Sequence, residues 1–230
     1  LEWARARSDR YSQVRALLTL AQAYAMQGDF PAARRHVAEQ RALCGDVSLE
    51  LVDAVGAFER SQVELLAGDL AAAEAEARSG CDFLQRKNEK AVLPTLQAEL
   101  ADILYARGEI DEAERMAEQA RSLSAPDDSL TEMKWRAVLA KVRARRGDKD
   151  EAVGLAREAA AIGATTGYVD RHAWILKDLG DVLSLAGRED EATAAYADAA
   201  SLFARKGNVV GRQLVDESLG DVHTSPSEIV

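Results

Sequence analysis

Aromatic residues are scarce in this 230-residue chain, 5% of positions against 47% hydrophobic residues overall, so bulky rings do not fill its core. Alanine is the largest single contributor to the apolar count. Because Ala costs least in a helix and lets helix axes approach closely, the shortage predicts an all-α protein with helices in tight contact. Cysteine is nearly absent. Cys44 and Cys81 have neither the C-x-x-C spacing of a metal or redox site nor the density of a disulfide scaffold, and read as buried thiols. His36, His172 and His223 are scattered and bring no cluster of carboxylates with them, so no metal site is expected. Positive charge is also short. With 29 Lys and Arg against 39 Asp and Glu, the net charge of -10 argues against nucleic acid and against an acidic membrane surface. No apolar run reaches the length of a membrane span, and no basic leader opens the chain, so a cytoplasmic protein is expected. A G-x-x-x-x-G-K loop, an H-E-x-x-H pair and a nucleophile elbow are all missing; neither an enzyme nor a cofactor site is expected.

What is present is a period. Gly28, Gly68, Gly108, Gly147 and Gly187 stand 40, 40, 39 and 40 residues apart. Five residues after each comes an alanine: Ala33, Ala73, Ala113, Ala152 and Ala192. A glycine just past a helix end and a small residue early in the next helix describe a helix, a tight turn and a closely crossing second helix. Asp29, Asp69 and Asp148 sit where they can cap that second helix, and Asp148 with Glu151 has capping-box spacing. First helices are predicted at about 10–27, 48–67, 91–107, 129–146 and 170–186, with turns at 86–90, 124–129 and 164–170.

Seven residues before each glycine lies a small residue: Ala21, Ser61, Ala101, Ala140 and Gly180. A leucine precedes it in four units, Leu20, Leu100, Leu139 and Leu179, with Arg60 the exception. Together with Tyr24, Tyr196 and the small residues Ala120, Ala159 and Ala199, this arrangement resembles the tetratricopeptide repeat, stretched from about 34 residues. The second unit departs most, with Arg60, Glu64 and Gly80 at signature positions. Long units rich in Arg are similar to the C-terminal arrays of bacterial multidomain signalling proteins, the STAND-type transcription activators and adenylate/guanylate cyclases. The resemblance implies a right-handed α-α superhelix, a solenoid of five helix pairs. It carries no catalytic residue into this segment.

The expected organisation is the end of a preceding repeat at 1–8, five repeats over 9–208, a capping helix at 209–222 and a disordered tail at 223–230. Such an array works by recognition. The first helices share a polar column, Gln22, Gln62, Asp102, Lys141 and Asp181, which reads as contact with solvent along a concave groove. Arg15, Phe58, Tyr105, Arg145 and Lys177 flank it and offer aromatic anchors and charge to an extended peptide. Trp135 and Trp174, 39 residues apart, read as packing between repeats. Reversing the charges of Lys141 and Arg145 is expected to weaken capture of a partner without changing helicity or melting. The partner is expected to be a protein or peptide, or other domains of the same polypeptide, bound by a sensor or scaffold arm. A free-standing adaptor and a small-molecule sensor stay open as alternatives, as does the oligomeric state.

Overall fold

Each period of about 40 residues folds into two helices because its glycine ends the first one cleanly. All five repeat glycines have φ between +75° and +92°, the left-handed region that a Cβ-bearing residue enters only at a cost. Beyond each, the chain makes the paired bonds of a Schellman turn, as where Gly28 N donates to Ala25 O and Asp29 N to Tyr24 O. The computed structural model describes residues 1–6, 9–45 and 49–224, with only the backbone of Trp3 and of 221–224. Among these residues there is no strand.

The pairs are α2 (Arg10–Met26) with α3 (Phe30–Cys44), and α4 (Glu50–Val55) and α5 (Ala57–Leu66) with α6 (Leu70–Arg86). Next come α7 (Leu93–Ala106) with α8 (Ile110–Leu123), and α9 (Ser129–Arg146) with α10 (Lys149–Ala164). The last is α11 (Val169–Leu185) with α12 (Glu189–Lys206). A short α1 (Glu2–Ala6) precedes them and α13 (Val209–Thr224) follows. The result is a right-handed helical solenoid in which the first helices line the inside of the curl. His223 and Thr224, expected in a tail, belong to α13; residues 225–230 lie outside the described part.

Small residues set how near the helices come. The five repeat alanines are fully buried. Gly180 lies against Tyr196 so closely that an added Cβ would run into the ring, and a Cβ on Gly80 would come 2.6 Å from Ala57 Cβ and Leu96 Cδ2. Gly80 is therefore a contact point between repeats despite its departure from the repeat pattern. Large buried side chains such as Leu84, Leu104 and Phe203 fill the spaces these close crossings leave.

Two expectations about local structure require correction. Asp29 and Asp69 cap α3 and α6, accepting from Ala32 N and Ala72 N at 2.9 and 3.0 Å, but Asp148 makes no such bond. The capping box is not formed there, because Glu151 turns to Arg143 Nε at 3.4 Å. The first helix of the second pair is also not continuous. It breaks at Gly56, where the Arg60 side chain bonds the carbonyl oxygen of Asp53 at 3.0 Å and so takes over the acceptor that the next helical turn would use.

Arginines on one second helix reach acids on the following one. Arg41 pairs with Glu76, Arg78 with Glu112 at 3.1 Å and Arg157 with Glu191 at 2.6 Å, and Arg5 on α1 pairs with Glu39 on α3 in the same manner. These half-exposed pairs add little energy singly, about 0–1 kcal/mol each, but hold the register of successive units. The curl brings the ends of the array together. Packed on α11 and α12 through Val215 and Leu219, α13 also touches α2. The Gln27 side-chain amide donates to the Gly207 carbonyl across that seam.

Candidate functional site

The polar column of the first helices faces inward, one residue per repeat, and the curl converts it into the wall of a cavity of about 420 Å³. Of the ten residues singled out in sequence, Gln22, Gln62, Asp102, Tyr105, Lys141, Lys177 and Asp181 line it. Phe58 stands beside it, its ring 5.2 Å from the Arg171 guanidinium and 5.9 Å from Lys134 Nζ. Arg145 lies 5.1 Å over the Tyr105 ring. Arg15 is not brought in; it is half exposed and paired with Glu59 at 3.0 Å.

The column is not simply solvated, as its polarity suggested. Gln62 and Lys141 are buried, each 6% exposed. Gln22 Nε2 donates to Gln62 Oε1 at 2.7 Å, and Arg171 donates to the same oxygen. Lys141 Nζ is held between Asp102 and, at 2.8 Å, Asp178. Lys177 Nζ lies 2.9 Å from Asp181, whose other oxygen accepts from Tyr196 OH at 2.8 Å. Neighbouring repeats are thus tied to one another through the very residues that line the cavity. The expectation that Lys141 can be reversed without affecting melting fails for this reason: an acid there would meet two others in a buried place.

Burial and charge tune these groups. Burial alone would lower the Lys141 ammonium, but Asp102 and Asp178 outweigh it and hold it above the ordinary lysine value. Burial likewise works to raise Asp102, and Lys141 with Lys134 overcomes it, leaving that carboxyl below its usual range. Asp178 is left on the losing side. Burial, with the charges of Asp102 and Asp181 against it, raises its pKa to about 6 despite Lys141. Tyr196 is raised first by burial and then by Asp181, so its hydroxyl stays protonated and donates.

The raised Asp178 value has a sign that can be measured. The folded protein holds this proton more tightly than the unfolded chain, so its stabilisation is present below about pH 4 and is lost as pH rises through about 6. The difference between the ordinary aspartate value and about 6 is on the order of 3 kcal/mol. Urea unfolding between pH 4 and 7 is expected to show a loss of about this size in the wild type and a much flatter profile in Asp178→Asn. Equal profiles would remove Asp178 as the cause.

Several cavity residues escaped sequence reading. Glu99 and Asp178 lie three positions before the column, Lys134 seven, and Arg171 and Asp170 ten and eleven, and none carries a repeat pattern of its own. Glu99 is 1% exposed and paired with Lys134 at 2.7 Å, while Asp170 accepts from Asn208 Nδ2 at 2.8 Å. Met26, Leu65, Leu66, Leu70 and Leu214 supply apolar side chains to the lining. Trp135 packs between repeats as expected, with Arg136 4.1 Å from its ring. Trp174 does more, meeting Phe203 edge-on at 4.9 Å and also lining the cavity. Cys44 and Cys81 are buried outside it, and burial pushes the Cys81 thiol up to about 12. Among the described residues no group of three or more His, Cys, Asp or Glu is placed to hold a metal, and no helix is long and apolar enough to cross a membrane.

Comparison with known proteins agrees with this architecture. A family model described as MalT-like TPR region matches residues 4–182. No curated protein matches the chain. Among solved structures, a Rap protein complexed with Competence and Sporulation Factor aligns at a TM-score of 0.65 and 11% identity, over 94% of this chain and 71% of that one. A signal transduction ATPase with numerous domains (STAND) with a tetratricopeptide repeat sensor, from Pyrococcus horikoshii, aligns at 0.59 and 15% identity. That alignment covers 94% of this chain and 36% of that one. Nearly identical TPR-like repeats named for a kinesin light chain of Podosopora anserina align at 0.57 and 18% identity, over 86% of this chain and 98% of that one. At these identities the likeness is one of fold.

Proposed function

The chain belongs to the MalT-like TPR family, and on that premise we propose that it is a non-catalytic recognition arm of a larger bacterial signalling protein, working in the cytoplasm. Its concave face takes up a peptide or a segment of a protein, and the bound state is passed to an output domain of the same polypeptide. The observation that carries this reading is convergence: the first helices of all five pairs and α13 contribute side chains to one cavity, so an occupant touches every repeat at once. A ligand that prefers one curvature of the array over another shifts the balance between them, which is what a sensor needs. The Rap structure with its bound factor and the STAND protein with its repeat sensor support the reading by analogy of fold.

Panning a random peptide library against the full chain and against Leu214→Arg tests it. Leu214 is exposed on α13 at the edge of the cavity, so arginine there fills the opening without disturbing the core. Enrichment by the wild type that is lost in Leu214→Arg, at unchanged far-UV dichroism, is the expected result. No enrichment, or enrichment that Leu214→Arg leaves intact, rejects the concave face as the site.

A further inference from the structure

The two ends of the cavity carry opposite chemistry. At one end Asp102, Asp178 and Asp181 form ion pairs with two ammonium groups, Lys141 and Lys177, and the charge of Lys134, which also reaches Asp102, is matched by Glu99 at 2.7 Å, so one negative charge there has no counterpart. At the other end is a surplus of donors. Arg171 lies over Phe58 and donates to Gln62, but pairs with no carboxylate among the described residues. Gln62, more than nine-tenths buried and facing the cavity, gives its oxygen to Gln22 and Arg171; its amide NH₂ has no hydrogen-bond partner among the described residues. Arg171 and Asp178 stand seven residues apart on one face of α11, a rise of about 10 Å. Leu65, Leu66 and Leu214 supply apolar lining to the same cavity.

We propose that this cavity holds the free amino end of a peptide with apolar side chains. Its ammonium sits against Asp178 and Asp181, a carbonyl further along faces Arg171 and the Gln62 amide, and the side chains lie on Leu65, Leu66 and Leu214. The proposal rests on the concave-face reading and adds the chemistry of the occupant. Length agrees with it, because three extended residues at about 3.3–3.6 Å each span the distance between the two ends. Charge agrees as well. The lining holds five carboxylates, Glu99, Asp102, Asp170, Asp178 and Asp181, against the cations Lys134, Lys141, Arg171 and Lys177, so an anion is repelled and a neutral solute leaves the surplus charge unmet.

Titrating the full chain with Leu-Leu-Leu-amide and with its N-acetyl form, followed by Trp174 fluorescence and calorimetry, tests the proposal. Losing a charge-assisted hydrogen bond costs about tenfold or more in affinity, so acetylation is expected to weaken binding to the wild type by at least that factor. In Asp178→Asn the difference between the two peptides is expected to shrink to about threefold or less, the sign that the ammonium and Asp178 act on each other. Equal binding of both peptides to the wild type overturns the proposal, as does an undiminished acetylation penalty in Asp178→Asn. Failure of both peptides to bind overturns it too. If library enrichment then still depends on Leu214, the recognition reading stands and only the amino-end chemistry is wrong.

Discussion

Lys141→Ala is expected to destabilise the fold by about 3–5 kcal/mol, the cost of removing one partner from a buried ion pair and leaving the other without it. Here the change strands two partners, since Asp102 and Asp178 both lean on this ammonium from the neighbouring first helices. At about 2–4 °C per kcal/mol for a chain of this size, the melting temperature falls by roughly 6–20 °C. The effect is specific in a way that separates it from lost packing. Because the damage comes from facing carboxylates, Lys141→Met combined with Asp102→Asn and Asp178→Asn is expected to recover most of the loss, whereas Lys141→Met alone recovers little. Differential scanning calorimetry at pH 7 decides it. A single variant that melts with the wild type would mean that the cluster contributes nothing to stability.

The second large effect runs against the repeat pattern. Four of the five units carry leucine where the second has Arg60, and restoring the common residue of a repeat ordinarily adds stability. Arg60→Leu is expected instead to cost about 3 kcal/mol or more. The Arg60 guanidinium is 4% exposed and bonds Glu76 at 2.9 Å, Asp53 Oδ1 at 3.1 Å, the Asp53 carbonyl at 3.0 Å and Gln40 Oε1 at 3.1 Å. Leucine satisfies none of these acceptors. Because the array couples each unit mainly to its neighbours, hydrogen exchange is expected to quicken in α3 to α6 and to change little in α9 to α12. Uniform acceleration along the chain, or stabilisation by leucine, contradicts this account.

Arg60 also marks where sequence reading stops. The period of the glycines, the alanines five residues on and the polar column were all legible, because each follows from steric demands that every repeat meets in the same way. That is why the helix pairs fall close to their predicted bounds and why seven of the ten candidate residues line one cavity. The break at Gly56 was not legible, since it depends on where a single guanidinium finds acceptors. Neither was the pairing of Lys141 with Asp178, which needs the angle between successive pairs and not only their spacing. Arg15 is not among the residues lining that cavity and pairs with Glu59 instead, a partner that the repeat spacing did not indicate.

The seam between α2 and α13 gives the array a gauge of its own shape. Each of the interfaces between successive units fixes one small rotation, and at the seam of α2 and α13, where Gln27 meets Gly207, all those rotations are summed. A change of a degree or two at any single interface is barely visible locally but is multiplied by the whole arc before it reaches that point. The jaws of a caliper work in the same way. On the proposed reading, an occupant that changes the curvature of the array would register as the opening or closing of one narrow gap.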